Sequence, residues 1–324
     1  MSHGGSYAAD HRVRLIEWLP WVTAIAVFFL LPDYLPLGAR VLTYILFALS
    51  LDLILGYAGI ITLGQSAFFG LGAYVAGILA AKLGVTDPIL QLIAAATAGA
   101  ILGISTGAVI LRTQGLTQLM LTLAVGALCL EIANRATAIT GGADGLSGVT
   151  VAPILGQFRF DLFGKTAYLW CLAVLFVGWW LARRLIYSPF GVALKGSREN
   201  STRMSAIGAP VYWRKVIVYT LSAAMAGVAG ALLTQTNQFV GLNVLGFEPS
   251  GELLVMLILG GVGRIYGAFA GPLLYLVAQD FLSKQFPEYW YFGIGLMLVL
   301  VVLFAHGGLL GISDALLARW RRRP

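Results

Sequence analysis

Long apolar segments recur along almost the whole chain, and only short polar segments separate them. An α-helix needs about 20 mostly apolar residues to cross a bilayer, because each residue advances it by about 1.5 Å. The predicted spans lie roughly at 15–31, 39–56, 65–81, 89–111, 116–133, 167–186, 215–233, 250–262, 265–282 and 290–306. This pattern predicts an all-α polytopic membrane protein with about ten transmembrane helices (8–10).

The composition excludes most soluble classes of protein. Hydrophobic residues make up 59% of the chain and charged residues 11%, whereas a soluble domain carries about 25% charged residues. So few charges exclude a soluble enzyme, a disordered protein and a nucleic-acid-binding protein. Continuous apolar runs also differ from the alternating strands of an outer-membrane barrel. We therefore expect residues 1–324 to form a single transmembrane domain whose surroundings are the lipid bilayer, with no nucleic-acid partner.

The positions of Lys and Arg predict the orientation. With the N-terminus inside, 15 of the 21 Lys and Arg residues fall on the cytoplasmic side and six fall outside. Because cytoplasmic loops carry the excess of positive charge, this orientation is favoured over its inverse. Both termini are then cytoplasmic. Residues 134–166 form a periplasmic loop, and residues 187–214 form the largest cytoplasmic loop.

Many of the 40 glycines gather at the inner ends of two spans, in residues 56–72 and 260–271. Helices interrupted at matching places in two halves of a chain indicate a transport path. Close helix packing is the alternative, because Gly99, Gly103 and Gly107 recur every four residues and so share one helix face. We favour packing for that helix, and a broken, cavity-lining segment for the first cluster.

Polar side chains among the first glycines favour a path there, because unwound backbone inside a membrane needs polar partners. The candidate path residues are Asp52, Gly59, Thr62, Gly64, Gln65 and Ser66. Asp52 lies deepest within a span, where a charge is costly. Two interpretations of Asp52 are open, a structural polar contact with a neighbouring helix and a direct role in the path.

The large inner loop holds the second candidate site. Ser188 and Pro189 form a turn-like entry, residues 192–207 predict one short helix, and Gly208 closes it. Charged residues alternate there with a few apolar ones. The segment is either a docking helix for a cytoplasmic partner or a solvated connector that carries positive charge.

The sequence shows no pattern of residues that is typical of an enzyme's catalytic site. No catalytic nucleophile with an acid–base pair is found, and the three histidines lack the spacing of metal ligands. Residues 163–166 resemble the end of a phosphate-binding loop, but Arg159 stands where that loop requires glycine. We therefore predict that the chain binds no metal or cofactor and hydrolyses no ATP.

Four segments in the same order resemble one transporter family. Residues 56–74, 188–232, 255–273 and 304–311 are similar to permeases of the branched-chain amino acid ABC import family. The glycine-rich run at 140–146 resembles the LivM-type subunit and differs from its LivH-type partner. The resemblance extends from about residue 40 to residue 311.

The resemblance implies a permease subunit of an ABC importer in the bacterial inner membrane. Such a subunit moves a small polar solute, branched-chain or other amino acids, into the cytoplasm. Its implied partners are a LivH-type second permease subunit, two cytoplasmic ATPase subunits that use ATP, and a periplasmic substrate-binding protein. A self-sufficient channel or secondary carrier is the alternative function.

The resemblance also favours the docking interpretation of the inner loop. Arg198, Glu199, Asn200 and Gly208 match the family's pattern there, and two apolar residues supply anchors for a partner's groove. The candidate ATPase-coupling residues are Arg198, Glu199, Asn200, Met204, Ile207 and Gly208.

Overall fold

The computed structural model of the chain describes residues 18–153, 164–304 and 308. The helices are α1 (Leu19–Leu30), α2 (Leu35–Asp52), α3 (Gln65–Ala81), α4 (Pro88–Ile110), α5 (Leu116–Arg135), α6 (Thr137–Thr140), α7 (Lys165–Ile186), α8 (Pro189–Glu199), α9 (Ser201–Ala206), α10 (Val211–Asn237), α11 (Phe247–Gly260), α12 (Gly267–Gln285) and α13 (Trp290–Phe304). No strand is formed within these residues, so the all-helical architecture is confirmed for them.

Five helical segments of the described chain are long and apolar enough to cross a membrane. They are Pro32–Tyr57, Pro88–Ile110, Leu116–Arg135, Lys165–Ile186 and Val211–Asn237. The other predicted spans coincide with helices that are shorter or less apolar, such as the 14-residue α11 and the 15-residue α13. A multi-span protein is therefore confirmed, whereas the count of ten crossings stays a prediction.

Helix α10 lies at the centre of the bundle, where it packs against α4, α3 and α2. The face of α4 that meets it is made of glycines. A Cβ atom added at Gly99 would lie 2.6 Å from the carbonyl oxygen of Ala223, and one at Gly103 would lie 2.7 Å from the Ala223 Cβ. The packing prediction for α4 is thus confirmed, because any side chain there would force α4 and α10 apart.

The connecting segments gather at two ends of the bundle, which we call the outer and inner ends after the predicted orientation. At the outer end, Leu146 and Val240 exchange two backbone hydrogen bonds of 2.7 and 3.2 Å. The N–H of Ala152 donates to the carbonyl of Thr86 at 2.8 Å. The predicted loop 134–166 therefore packs onto the bundle, although its residues 154–163 lie outside the described part.

The inner loop differs from its prediction. The single helix expected over residues 192–207 is wrong, because the chain is divided there into α8 and α9. Asn200 has an extended backbone, with φ −155° and ψ 97°, and its side-chain oxygen accepts the N–H of Arg203 at 2.8 Å. An Asn side chain that caps a helix N-terminus starts a new helix, so Asn200 ends α8 and begins α9.

Candidate functional site

Helix α2 loses its regular form at the inner end. Residues Leu53–Tyr57 form one π-helical turn, and the backbone is then non-helical until α3 begins at Gln65. Gly59 has a φ of 69°, which an L side chain rarely adopts, so glycine allows the chain to turn there. We call residues 58–64 the first break. The predicted interruption is confirmed there, whereas residues 65–72 of the predicted segment belong to α3.

A second break lies between α11 and α12, in residues 261–266. It meets the end of α2, 211 residues earlier in the chain. The N–H of Gly263 donates to Asp52 Oδ1 at 2.7 Å, and Asp52 is only 1% exposed. A Cβ atom at Gly56 would lie 2.7 Å from the Gly263 backbone, so the two backbones are in direct contact. Asp52 therefore makes a polar contact between the end of α2 and the second break, and its role in the path stays a prediction.

Helix α8 reaches the same place through Arg198. Its Nη1 donates to the carbonyl oxygen of Gly56. The aliphatic part of its side chain contacts Gly59 in the first break, because a Cβ atom at Gly59 would lie 2.8 Å from the Arg198 Cγ, although Gly59 is still exposed. The sequence predicted Arg198 as an ATPase-coupling residue; in the fold the residue is exposed and its guanidinium bonds to Gly56, and the coupling role stays a prediction.

A cavity of about 400 Å³ lies between α8 and the two breaks. It is lined by Gly56, Tyr57, Lys195, Arg198, Glu199 and Gly263. The Lys195 ammonium lies 5.1 Å from the centre of the Tyr57 ring, a cation–π contact. Partial burial lowers the pKa of Lys195 below its ordinary value. At this cavity, Lys195 and Arg198 of α8 therefore lie next to backbone groups of Gly56 and Gly263 that bond to side chains instead of to their own helix.

The remaining candidate path residues lie deeper in the bundle. Gln65 is 1% exposed, and its Nε2 donates to the Oγ atoms of Ser50 at 3.0 Å and Ser222 at 2.9 Å. The N–H of Ser66 donates to the Oγ of Ser250 at 2.8 Å. These bonds join α3 to α2, α10 and α11 just after the first break.

Two further candidates shape the first break itself. The N–H of Gly64 donates to Thr62 Oγ1 at 3.2 Å, which closes a tight local turn. Gly64 also packs against the backbone of Thr122 in α5, where a side chain would not fit. All of these residues are buried, and their place in a transport path stays a prediction.

The sequence did not single out the serines that bond to α3. Ser50, Ser222 and Ser250 are each no more than 2% exposed and lie in three different helices. A lone hydroxyl in an apolar helix is a weak signal, because Ser often bonds to the carbonyl of its own helix. Only the tertiary structure identifies these serines, because it brings their hydroxyl groups against Gln65 and Ser66 at the start of α3.

The outward side of α8 and α9 is open. Glu199 is exposed, and so are the apolar side chains of Val192, at 47%, and Ile207, at 72%. Met204 instead packs against Gly196, where a Cβ atom would lie 3.0 Å from its sulfur, and so folds α9 onto α8. Gly208 follows α9 with a φ of 81°. An exposed acid flanked by exposed apolar residues can bind a partner.

Among the described residues, no group of three or more His, Cys, Asp or Glu side chains could hold a metal ion. Comparison with known proteins decides the family. The sequence profile of the family described as "Branched-chain amino acid transport system / permease component" matches residues 36–302. The chain belongs to this permease family.

Two of its relatives carry different subunit names. The permease is 28% identical to the high-affinity branched-chain amino acid transport system permease protein LivM of Escherichia coli K12, over 83% of this chain and 68% of the relative. It is 27% identical to a probable LivH permease protein of Methanocaldococcus jannaschii, over 85% of this chain and 91% of the relative. No solved structure matches the permease. Both relatives are named as transport permeases, and neither is named as an enzyme.

Proposed function

We propose that the permease is the LivM-type membrane subunit of an ABC importer that moves branched-chain or other small amino acids into the cytoplasm. The observation that carries this proposal is the contact of α8 with both helix breaks through Arg198. An importer energised by separate ATPases needs such a mechanical link between its cytoplasmic surface and its membrane path. The family membership of residues 36–302 supports the same function.

The proposed topology has ten crossings, with both termini in the cytoplasm of a bacterium and the chain in its inner membrane. It is supported by the excess of Lys and Arg on one side. It is also supported by the grouping of the segments, since the two breaks, α8 and α9 share one end of the bundle, while residues 141–152 and 238–246 share the other.

The proposed partners are two ATPase subunits, a LivH-type second permease subunit and a periplasmic substrate-binding protein. Similarity to both LivM and LivH proteins supports a pair of related permease subunits. The exposed surface formed by Val192, Glu199 and Ile207 supports ATPase docking at α8 and α9. On this proposal ATP is used by the partners, and the permease itself binds no cofactor.

The proposed path runs along the first break, past Asp52, Gly59 and Gly64 and toward the buried amide of Gln65. Its support is that backbone released from helical hydrogen bonds lies beside buried polar side chains, a combination tolerated inside a membrane where it lines a cavity or is enclosed by protein. Thr62 and Ser66 lie in the same segment.

Co-purification and reconstitution test the proposal. The permease is expressed with its cognate second permease, ATPases and binding protein, purified in detergent and placed in liposomes that contain ATP. We expect one stable complex and ATP-dependent uptake of a labelled branched-chain amino acid, with neither activity in the permease alone. Concentrative uptake by the permease alone without ATP would show a self-sufficient carrier.

The variant Glu199→Arg tests the docking surface in the same preparation. Like charges placed together at an interface cost about 2 kcal/mol or more, so the ATPases should dissociate from the complex. The permease itself should stay folded and inserted. Glu199→Gln is the matched control that removes the charge without reversing it. Full retention of the ATPases by Glu199→Arg, with normal stimulation by the binding protein, would make α8 and α9 a charged connector.

A further inference from the structure

We infer that Arg198 is a positioning residue that ties α8 to both helix breaks and transmits movement of the docking surface to the inner end of the path. The inference rests on the proposed function and deepens it, because it assigns the coupling step to one side chain. Arg198 and its neighbour Glu199 are both exposed, and Arg198 differs from Glu199 by its hydrogen bond to the Gly56 carbonyl.

The contacts of Arg198 cover both breaks at once. Its Nη1 donates to the Gly56 carbonyl at the end of α2, and its Cγ covers Gly59 in the first break. The same Nη1 would lie 3.2 Å from a Cβ atom at Gly263, so it also borders the second break. One side chain from α8 therefore contacts residues 56 and 59 and borders residue 263, which follows more than 200 residues later in the sequence.

The charges around Arg198 favour this position. The carbonyl of Gly56 lies in the π-helical turn that follows α2, and the C-terminal end of a helical segment carries partial negative charge that attracts a cation. Asp52 lies one turn earlier, with Oδ1 bound to Gly263 and Oδ2 without a hydrogen-bond partner in the described part of the chain. A planar guanidinium has five donors, so it can serve a carbonyl and a carboxylate from one place.

The glycines make the contact mechanically useful. Residues 56, 59 and 263 present bare backbone to Arg198, so a displacement of α8 acts on the backbone itself with no side chain between. The second break is also bound to the end of α2 through Asp52. A movement of α8 on ATPase closure would therefore shift the inner ends of α2 and α12 together.

The test compares two arginines that lie five residues apart. Arg198→Gln removes the contact, and Arg203→Gln removes the same charge from an exposed position on α9. Each variant is purified as the full complex with ATPases, second permease and binding protein. We expect Arg198→Gln to retain the ATPases, while stimulation of hydrolysis by the binding protein falls at least fivefold and uptake per ATP falls at least tenfold. Arg203→Gln should stay within twofold of the wild type.

Two outcomes would overturn the inference. Loss of the ATPases from Arg198→Gln, as expected for Glu199→Arg, would make Arg198 an interface residue. Unchanged uptake per ATP would show that Arg198 has no part in coupling. This holds even if the amount of complex falls, because a residue that only stabilises the fold lowers hydrolysis and uptake by the same factor.

A second measurement needs no partner. In a Cys129→Ser background, Val262→Cys places a thiol beside Gly263, while the native Cys171 is fully buried. We expect Arg198→Gln to raise the rate of maleimide labelling at position 262 at least threefold in membranes that contain the permease alone. An unchanged rate would overturn the Arg198 contact. If the wild-type permease never co-purifies with ATPases, the proposed function fails. The rate of maleimide labelling at position 262 would still test whether Arg198 contacts the breaks.

Discussion

Glycine has two different structural roles in α4 and in the first break. In α4, Gly99 and Gly103 lie in a continuous helix, and their bare surface lets the backbone of α10 approach closely. After α2, Gly59 instead lies where the helix has ended, with a φ of 69°. Both regions contain glycines, so the presence of glycine alone does not separate packing from helix interruption.

Backbone hydrogen bonding explains the difference. In α4 the helix satisfies its own N–H and C=O groups, so glycine affects only the distance between helices. At the breaks these groups are released, and inside a membrane they need other partners. The Gly263 N–H binds Asp52, and the Gly56 carbonyl accepts from Arg198. Charged side chains that bond to backbone groups therefore distinguish the two breaks from the packed glycines of α4.

The largest effect is expected from a bulky residue in the packed region. Gly103→Leu would force α4 away from α10, because even a Cβ atom lies 2.7 Å from the Ala223 Cβ. Overpacking costs about 1–3 kcal/mol or more, so the amount of folded permease in membranes should fall at least tenfold. Uptake should fall in parallel. Size-exclusion profiles and uptake per cell check this. Normal abundance with lost uptake would place α4 in the path and break the comparison.

A leucine in the first break should lower uptake without lowering the amount of permease in the membrane. Gly59→Leu places a side chain against Arg198 and requires a left-handed backbone that costs about 1–2 kcal/mol. We expect uptake to fall at least fivefold while membrane abundance stays within twofold of the wild type. Immunoblotting and uptake of labelled amino acid measure the two quantities. Equal losses would indicate that Gly59 serves packing, as the α4 glycines do.

A smaller effect is expected where the first break joins α3. Gln65→Met keeps the size of the side chain but removes the amide that binds Ser50 and Ser222. Polar contacts between membrane helices are worth about 0.6–1.7 kcal/mol, so the unfolding temperature in detergent should fall by a few degrees. Ser250→Ala, which loses only the bond to the Ser66 N–H, is a matched comparison. A loss of uptake larger than the loss of stability would assign Gln65 to the path.

The smallest effect is expected at a glycine that belongs to neither class. Gly126 lies within α5, and apart from its own helical turn no atom of the described residues lies within 4 Å of the place where its Cβ would be. Gly126→Ala should stabilise the permease by about 0.4–1 kcal/mol, because it reduces the freedom of the unfolded chain. Thermal unfolding of the purified permease measures this. A loss of complex with the second permease would show that this side of α5 is a subunit interface.

Much of the fold follows from local patterns that the sequence shows directly. Apolar segments of suitable length predicted the helices α2 to α5, α7 and α10 within a few residues. The four-residue spacing in α4 predicted its packed face, and the cluster at 56–72 predicted the first break. The inner loop was less accurate, because the capping side chain of Asn200 interrupts a segment whose apolar and charged pattern still reads as one helix.

The sequence by itself determined that the chain is helical, spans a membrane and belongs to one permease family, because these properties depend on local hydrophobicity and on motifs in a fixed order. Only the tertiary structure decided that Asp52 binds the second break and that Arg198 is directed toward Gly56. Such contacts join residues far apart in sequence, and which backbone groups are left to be satisfied depends on how the whole bundle packs. No periodicity along the chain encodes that meeting point.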